Sequence, residues 1–328
     1  MSKVIALIDL DTPVYKAASA VEERGIIVTH SPTGIQKSFS TRTEFKDLLK
    51  SKDKIDKLSE YEIEDTQEAE PAEHAFHILN NHIKFILDSF WCDEVVYMIS
   101  GKTNFRSDLP LPTKYKSNRV GLKPLLLKQV QTYAWKKYKA IVTQNEEPDD
   151  MQVWMGYEIL KRGDVPILCT GDKDSKAYSG LSLFNPDKPE MGVQVIPELG
   201  VILEDEKGKV RANGMKQYGL QMLVGDSVDG FKPTELCRVK FGEKSAMKLL
   251  EPCKTEKEVL EVVVSKYKEW YPESFEYTAW NGDRVELADA VIRAYDLAEM
   301  LGLDLDARIS EKLEFNKTRG RMHNGKTV

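Results

Sequence analysis

Short apolar runs alternate with longer stretches of helical spacing through the first two thirds of the chain. Three of these runs predict buried, parallel strands: Val4–Ile8, Glu94–Ile99 and Val165–Cys169. Spacing and turn residues predict further elements: short strands at 183–184 and 193–196, a hairpin at 25–40, helices at 14–23, 42–57, 72–90 and 151–160, and an acidic loop at 60–70. Strands that alternate with helices predict an α/β fold with a central, mostly parallel sheet and ligand sites at the carboxyl ends of its strands.

After about residue 205 the pattern becomes mostly helical. Four helices are predicted there: Gly214–Leu223, Lys244–Leu250, Glu256–Trp270 and Glu286–Leu301. We therefore predict an α/β domain over residues 1–205 and a helical region over residues 206–315. Residues 316–328 are basic and have no apolar face, which predicts a disordered tail.

The chain has 328 residues, and its composition is typical of a soluble globular protein. The four cysteines lie far apart and form no Cys-x-x-Cys pair, which is typical of reduced thiols in a cytoplasmic protein. The apolar start from Val4 to Ile8 ends at Asp9 and is too brief for a signal peptide or a membrane span. We expect a cytoplasmic protein without a membrane partner.

Carboxylates are concentrated between Gln144 and Met151, where four of them fall within five positions and Pro148 marks a helix start. Three other groups fall where an α/β sheet would gather them: Asp9 with Asp11, Asp172 with Asp174, and Asp226 with Asp229. The Asp172-Lys173-Asp174 spacing would place both carboxylates on one side of an extended segment. Oxygen ligands without histidine suit Mg²⁺ or Mn²⁺ better than zinc, and two such ions can promote phosphodiester hydrolysis.

Basic residues are segregated between Gly101 and Ala140, where Asp108 is the only acid although the whole chain has a net charge of −6. Within this stretch, Lys116 and Arg119 could hold a phosphate and offset the charge that develops on it. Tyr115 could stack on an unpaired base. Beside a carboxylate cluster, these residues favour a nucleic-acid substrate.

Six segments carry a family resemblance in this order: Ile8-Asp9, Asn104-Phe105-Arg106, Tyr115-Lys116-Ser117-Asn118-Arg119, Glu147-Pro148-Asp149-Asp150, Thr170-Gly171-Asp172-Lys173-Asp174 and Gly225-Asp226-Ser227-Val228-Asp229-Gly230. They resemble the 5′→3′ exonucleases and flap endonucleases of bacteriophages and bacteria, over roughly residues 4–250. The resemblance implies hydrolysis of DNA with free 5′ ends or flaps, or of RNA–DNA hybrids, with Mg²⁺ or Mn²⁺. It also implies a role in replication, beside replication proteins that the sequence does not identify.

The resemblance also implies roles for individual residues. Two divalent ions would be held by the carboxylates of Asp9, Glu147, Asp149, Asp150, Asp172, Asp174, Asp226 and Asp229. Lys116 and Arg119 would be catalytic, at the base of a basic helical arch near residues 107–140, with its helix between 120 and 139. Nucleic acid would contact Arg106, Lys114, Tyr115, Lys123, Lys244 and Ser245. The helical region after residue 205 would bind duplex DNA in the manner of a helix-turn-helix.

The sequence departs from the family pattern at two places. The family has an Asp at the end of the second parallel strand, where this chain offers only Ser100 and Gly101, so one metal ligand is missing or comes from elsewhere. The segment from Gly230 to Ala246 is longer than the family's glycine-rich hairpin and keeps only Gly242 before the next helix. The potassium site of the relatives is therefore in question.

Two other functions are compatible with parts of the sequence. Asp9-Leu10-Asp11-Thr12 resembles the start of haloacid-dehalogenase-type phosphatases, with Asp9 as the nucleophile and Ser100 as the hydroxyl at a strand end. This alternative leaves the carboxylates at the 147–150 helix start and Lys116 without a purpose. The chain could also be a structure-specific DNA-binding protein without catalysis, although a pure binder gains nothing from negative charge near phosphate.

Overall fold

The structure is a computed structural model that describes residues 2–286, apart from residues 53, 120 and 272–275. Two sequence predictions, most of the helix at 286–301 and the tail at 316–328, lie outside the described residues. Among the helices that it describes, none is long and apolar enough to cross a membrane.

The main sheet has six strands in the order β6-β5-β1-β7-β8-β9. Its first five members in this order run parallel, and the edge strand β9 is antiparallel to β8. The bounds are β1 Val4–Asp9, β5 Glu94–Ile99, β6 Ile141–Val142, β7 Val165–Cys169, β8 Ser182–Phe184 and β9 Val193–Val195. The α/β fold with a mostly parallel central sheet is therefore confirmed.

Helices cover both faces of this sheet. Ala6 and Ile8 of β1 face a core shared with α1 Asp11–Ala20, α3 Ala72–Asp88 and α4 Leu127–Tyr138. Ile5 and Leu7 face the other side, where α5 Pro148–Lys161 packs through Ile159. Successive residues of a strand point to opposite faces, so an apolar run such as Val4–Ile8 is buried on both sides.

A small antiparallel sheet lies between α1 and α3 in the chain. Its strands are β2 Glu22–His30, β3 Ile35–Phe39 and β4 Tyr61–Ala69, in the order β3-β2-β4. Helix α2 Arg42–Ser51 closes a separate cluster of Ile26, Val28, Phe39, Phe45 and Leu49. The predicted hairpin at 25–40 is confirmed.

Strand β4 corrects the acidic loop predicted at 60–70. Tyr61 and Ile63 pack against the small cluster while Glu62 and Glu64 are exposed, which is the alternation of a half-buried strand. The high acid content made the segment look like a loop in the sequence. In the structure, nine residues of β4 pair with β2 and stabilise the strand. Two helix ends also differ from the predictions, because α1 stops at Ala20 before β2 and α2 stops at Ser51.

A further hydrophobic cluster lies in the last described third of the chain. The elements there are β10 Ile202–Glu204, β11 Val210–Ala212, α6 Gly214–Val224, α7 Glu243–Leu250, α8 Glu256–Trp270, β12 Glu276–Thr278 and β13 Arg284–Glu286. Leu223, Leu250 and Val259 join the three helices, and Ile202 and Val210 bring the β10–β11 hairpin into the same cluster. This cluster begins close to the predicted boundary at 205, although the domain division itself stays a prediction.

The segment predicted as a helical arch needs a correction. Between Asp108 and Leu126 the described residues form turns and loops. The helix that follows, α4, buries Val130 and Ala134 against α1 and α3, so it is a core helix. Its basic residues misled the prediction because they occupy the exposed face of an amphipathic helix.

Candidate active site

The parallel strands of the main sheet end at one edge, and the predicted carboxylates lie along that edge. Asp9 ends β1, and Asp172 follows the end of β7, its neighbour in the sheet. Carboxyl ends of neighbouring parallel strands are where α/β sheets bind ligands. We call the following residues the carboxylate site: Asp9, Asp11, Glu147, Asp149, Asp150, Asp172, Asp174, Asp226 and Asp229.

Asp9 and Asp11 stand at the centre of the sheet edge. The Asp11 N–H donates to Asp9 Oδ1 at 2.8 Å, which fixes the turn between β1 and α1. Burial raises the pKa of Asp9 well above its usual range, and the negative charges of Asp11, Asp149 and Asp172 raise it further. The carboxylates of three separate elements are therefore close enough to repel one another.

Asp11 reaches across to the end of β5, where the sequence offered no carboxylate. The Ser100 N–H donates to Asp11 Oδ1 at 3.0 Å, and the Ser100 hydroxyl donates to Oδ2. Gly101 cannot carry a side chain, because a Cβ there would lie 2.1 Å from the Thr143 carbonyl oxygen. Asp11 thus places a carboxylate beside β5. Asp11 is paired with Asp9 in the sequence but is not among the predicted metal ligands, and Ser100 at the end of β5 is the sequence feature that could have indicated it.

The start of α5 contributes three carboxylates, as the position of Pro148 predicts. Glu147 is the N-cap residue, and its N–H donates to Asp150 Oδ2 at 3.1 Å. Burial raises the pKa of Asp149 to about 7, and the charges of Asp150 and Glu147 add to the shift. Acids that only complement a helix dipole can remain exposed. These acids are partly buried next to one another, so the helix dipole alone does not explain them.

Asp172 and Asp174 occupy a turn, which corrects the extended segment that the sequence predicts. Lys173 has helical dihedral angles, and a short 3-10 helix begins at Asp174. The Asp174 N–H donates to Asp172 Oδ1 at 2.9 Å, and the Gln221 amide donates to Asp174. Burial raises the pKa of Asp174 to about 6, with Asp172 and Asp226 acting in the same direction. The two carboxylates stay close together through the turn.

Asp226 and Asp229 lie in the turn that follows α6, as predicted. Gly225 opens this turn with φ of 77°, and a Cβ there would lie 2.5 Å from the Phe231 carbonyl oxygen. Lys173 Nζ is 3.0 Å from Asp226 Oδ2. Burial acts to raise the pKa of Asp226, but the hydrogen bonds from Lys173 and the Val228 N–H outweigh it and the pKa is lowered.

Basic side chains from the 106–119 segment reach into the carboxylate site. Arg106 forms a two-pronged ion pair with Asp150 at 2.5 and 2.7 Å. Lys116 Nζ lies 2.6 Å from Glu147 Oε1, and Arg119 lies 2.6 Å from Asp229 Oδ1. Lys116 has φ of 55°, a left-handed conformation that an L-residue adopts only when its surroundings require it. The segment is therefore held over the carboxylates.

Tyr115 shares this position but directs its hydroxyl inward. Its Oη lies 2.9 Å from Glu147 Oε2 and 3.0 Å from Asp229 Oδ2, and burial next to these negative charges raises its pKa. The ring is half-buried. Tyr115 therefore links α5 to the turn after α6, and base stacking by its ring stays a prediction.

The other predicted nucleic-acid contacts are more dispersed. Lys114 lies next to Tyr115 and is exposed. Lys123 is exposed beside the small sheet, where its carbonyl oxygen accepts from Gln67 at 3.0 Å. Lys244 pairs with Glu204 at 2.8 Å near the start of α7, which also contains Ser245. Their contacts with nucleic acid stay predictions.

The carboxylate site fits divalent ions by its donor chemistry, since every candidate ligand is an oxygen. Within the described part of the chain, no three His, Cys, Asp or Glu side chains are arranged to hold one ion. Instead, Arg106, Lys116, Arg119 and Lys173 serve as partners of the carboxylates. An ion that binds here would replace these cations as the partner of the same oxygens.

The fold and site thus define an α/β protein with an acidic site covered by a basic segment. The sequence matches no protein-family model and no curated protein. It is similar in structure to a bacteriophage T5 protein crystallised with metal ions, with 13% identity and a TM-score of 0.39 over 58% of this chain and 80% of that one.

Two further structures from the same bacteriophage are similar. Zinc-bound T5 5′-exonuclease shares 15% identity and a TM-score of 0.40 over 61% of this chain and 79% of that chain. T5 flap endonuclease, in a product complex with DNA and metal ions, shares 15% identity and a TM-score of 0.38 over 58% of this chain and 78% of that one. Similarity of this degree does not establish an activity, so function must come from the side chains.

Proposed function

We propose that this protein is a divalent-metal-dependent 5′-nuclease that hydrolyses phosphodiesters of DNA at free 5′ ends or flaps. One observation carries the proposal: carboxylates from four separate parts of the chain converge at one sheet edge, and Lys116 and Arg119 cover them. Oxygen ligands for metal and cations for phosphate are the two parts that phosphodiester hydrolysis requires.

The chain's own residues have distinct tasks in this proposal. The carboxylate site would hold the metal, Mg²⁺ or Mn²⁺, in one or two ions. When bound, such ions neutralise charge on the reacting phosphate and lower the pKa of water. Lys116 and Arg119 would leave their carboxylates and bind the phosphate oxygens, because bound metal would take over the carboxylate oxygens and the negatively charged phosphodiester would become the partner of the same cations. Tyr115 would keep Glu147 and Asp229 in position.

The role of Asp11 extends the predicted ligand set. Two hydrogen bonds from Ser100 fix its carboxylate at the end of β5, beside Lys116 and Glu147, whose charges act on its pKa in opposite directions. We assign Asp11 to the metal ligands and Ser100 to the positioning of Asp11. The proposal also includes RNA–DNA hybrids as substrates and a role in replication. Cleavage assays on a hybrid duplex test the first of these.

The phosphatase alternative is less compatible with this geometry. It requires the Ser100 hydroxyl to donate to a substrate phosphate, but that hydroxyl donates to Asp11. A phosphomonoester would also have to approach a cluster of carboxylates without any use for Asp149 and Asp172. A direct assay with a small phosphomonoester separates the two functions.

The proposal is tested with a 5′-flapped duplex and a blunt duplex, each labelled at either end, in Mg²⁺ or in EDTA. We expect short products from the 5′ side only with Mg²⁺, and their lengths distinguish exonuclease from flap endonuclease. Asp149→Asn should abolish them. Asp164→Asn is the matched control, since Asp164 lies at the opposite end of β7 and accepts from the Lys3 N–H.

Two outcomes would contradict the proposal. Phosphomonoester hydrolysis without DNA cleavage would identify a phosphatase. Tight flap binding without cleavage, in Mg²⁺ and in Mn²⁺, would identify a catalytically silent DNA-binding protein.

A further inference from the structure

The hairpin formed by β12 and β13 packs against the loop that precedes the basic segment. The Tyr277 hydroxyl donates to the Pro110 carbonyl oxygen at 2.8 Å, and the backbone N–H of Trp280 donates to the Leu111 carbonyl oxygen at 3.0 Å. Tyr277 and Ala279 are buried, with Leu236 packed against them. The hairpin is thus anchored to residues that lie only a few positions before Tyr115 and Lys116.

Trp280 at the tip of this hairpin is held in one orientation but is not enclosed. Its indole N–H donates to the Leu109 carbonyl oxygen at 2.9 Å, and the residue remains 39% exposed. Lys114 Nζ lies 4.5 Å from the centroid of its ring. A fixed, exposed aromatic ring beside a cation is the combination that binds an unpaired base together with its phosphate.

The position of this pair relates it to the carboxylate site. Lys114 and Lys116 are two residues apart, so their Cα atoms are separated by no more than about 7 Å. Bases in a stacked strand are about 3.4 Å apart. Each lysine side chain extends this separation by about 6 Å, so a base on Trp280 would lie within a few nucleotides of a phosphate held by Lys116.

We propose that Trp280 and Lys114 form a stacking site for an unpaired nucleobase of the strand that enters the carboxylate site. This inference rests on the proposed nuclease function and specifies its substrate at one point. An aromatic ring stacks on the face of a base, and within a duplex that face is covered by the neighbouring base pairs. The site therefore selects a single-stranded end, and the hairpin that carries Trp280 belongs to the substrate-binding surface.

The alternative is that Trp280 only supports the loop at 109–114. Two variants separate the roles. Trp280→Phe keeps an aromatic ring but removes the indole N–H that holds Leu109, whereas Trp280→Leu removes both. Trp91→Leu is the matched control, because Trp91 is 70% exposed and lies in the loop before β5, at the opposite end of the strands from the carboxylates.

Binding is measured with the full chain in EDTA, so that cleavage does not interfere, on a duplex with a 5′ overhang and on a blunt duplex. We expect Trp280→Leu to weaken overhang binding about tenfold or more, and Trp280→Phe and Trp91→Leu to stay within about threefold of wild type. Blunt-duplex binding should not change. An abasic site placed at each overhang position in turn should reveal one position where Trp280→Leu has no further effect.

Two results would overturn the stacking site. Wild-type overhang binding by Trp280→Leu would show that no base stacks there. Equal losses for Trp280→Phe and Trp280→Leu, at every abasic position, would show that Trp280 only supports the loop. Failure of the nuclease function is a separate result, because it appears as absent Mg²⁺-dependent cleavage by the wild-type chain while overhang binding and its dependence on Trp280 can persist.

Discussion

Two regions of this molecule are rich in acidic residues, and they differ in what surrounds those residues. In β4 of the small sheet, Glu62, Glu64 and Glu68 alternate with apolar or polar neighbours and face solvent. In the carboxylate site the acids come from distant parts of the chain and all except Asp172 are partly buried, so that Asp149 has its pKa raised to about 7. Water stabilises the first set. The second set needs cations, and Arg106, Lys116, Arg119 and Lys173 are its partners in the structure.

This difference shows why acid content alone is a poor guide to function. Exposed carboxylates on a strand face cost little, because the solvent screens them. Carboxylates gathered at the ends of parallel strands are desolvated and repel one another, which a protein without a use for them would not retain. Function therefore follows from convergence in the fold, and a change in the carboxylate site should affect cleavage where the same kind of change in the small-sheet region does not.

The largest effect is expected for Asp172→Asn. Loss of one negative charge among the metal ligands should lower single-turnover flap cleavage in Mg²⁺ by more than about a thousandfold, while flap binding in EDTA stays close to wild type. The matched control is Asp65→Asn in β4, where Asp65 pairs with Arg42 on the surface. Wild-type cleavage by Asp172→Asn would remove this residue from the ligands.

The next effect is expected for Lys116→Ala. Removal of a cation that binds the phosphate should lower turnover about a hundredfold. Mn²⁺ binding, followed by calorimetry, should not weaken, because Lys116 is a partner of Glu147 that the ion has to replace. Lys50→Ala in α2 is the control, since Lys50 pairs with Asp47 on the surface. An unchanged turnover would exclude Lys116 from catalysis, and weaker Mn²⁺ binding would contradict its role as a competing cation.

Sequence patterns predicted the main sheet well because its strands are buried on both faces. The apolar runs at β1, β5 and β7 and the helix start at Pro148 leave little choice of structure. The eight predicted carboxylates also lie around one sheet edge, although metal binding by them stays a prediction. That agreement is physical, because parallel strands end at the same edge whatever the details of the loops.

Tertiary contacts decided the elements that the sequence did not predict. Strand β4 has too many acids to look like a strand, and only its pairing with β2 makes it one. The basic helix α4 could have stood apart as an arch, but Val130 and Ala134 fit the core beside α1. The place of Asp11 in the carboxylate site became evident only from its contact with Ser100, which lies 89 residues away in the chain. Trp280 gave no signal, because a single tryptophan near a turn has no periodic pattern.

A smaller effect is expected for Ser100→Ala, which removes one of the two hydrogen bonds that fix Asp11. Residues that orient a metal ligand affect metal affinity or activity by about tenfold to a hundredfold, and the lower value applies here because the Ser100 N–H remains. We expect Mn²⁺ binding to weaken about tenfold and Ser100→Thr to restore it. Ser38→Ala on the exposed face of β3 is the control. Unchanged Mn²⁺ binding would exclude Asp11 as a ligand that depends on Ser100.

The smallest effect, and one of opposite sign, is expected for Glu68→Gln in β4. Glu68 lies directly opposite Glu23 of β2, and both are exposed. Like charges in this position destabilise a sheet, so the substitution should raise the free energy of unfolding in urea by less than about 1 kcal/mol. The gain should shrink at high salt, because the charges are screened.

Glu62→Gln is the matched control for this last change, since Glu62 faces Thr29 and relieves no such repulsion. Flap cleavage should stay within twofold of wild type for both variants, because water already stabilises these carboxylates and no substrate group replaces it. A loss of cleavage in either variant would contradict the comparison, since it would show that the acidic face of the small sheet affects the reaction. That face would then contact the substrate or the segment at 121–126, where the Lys123 carbonyl oxygen accepts from Gln67.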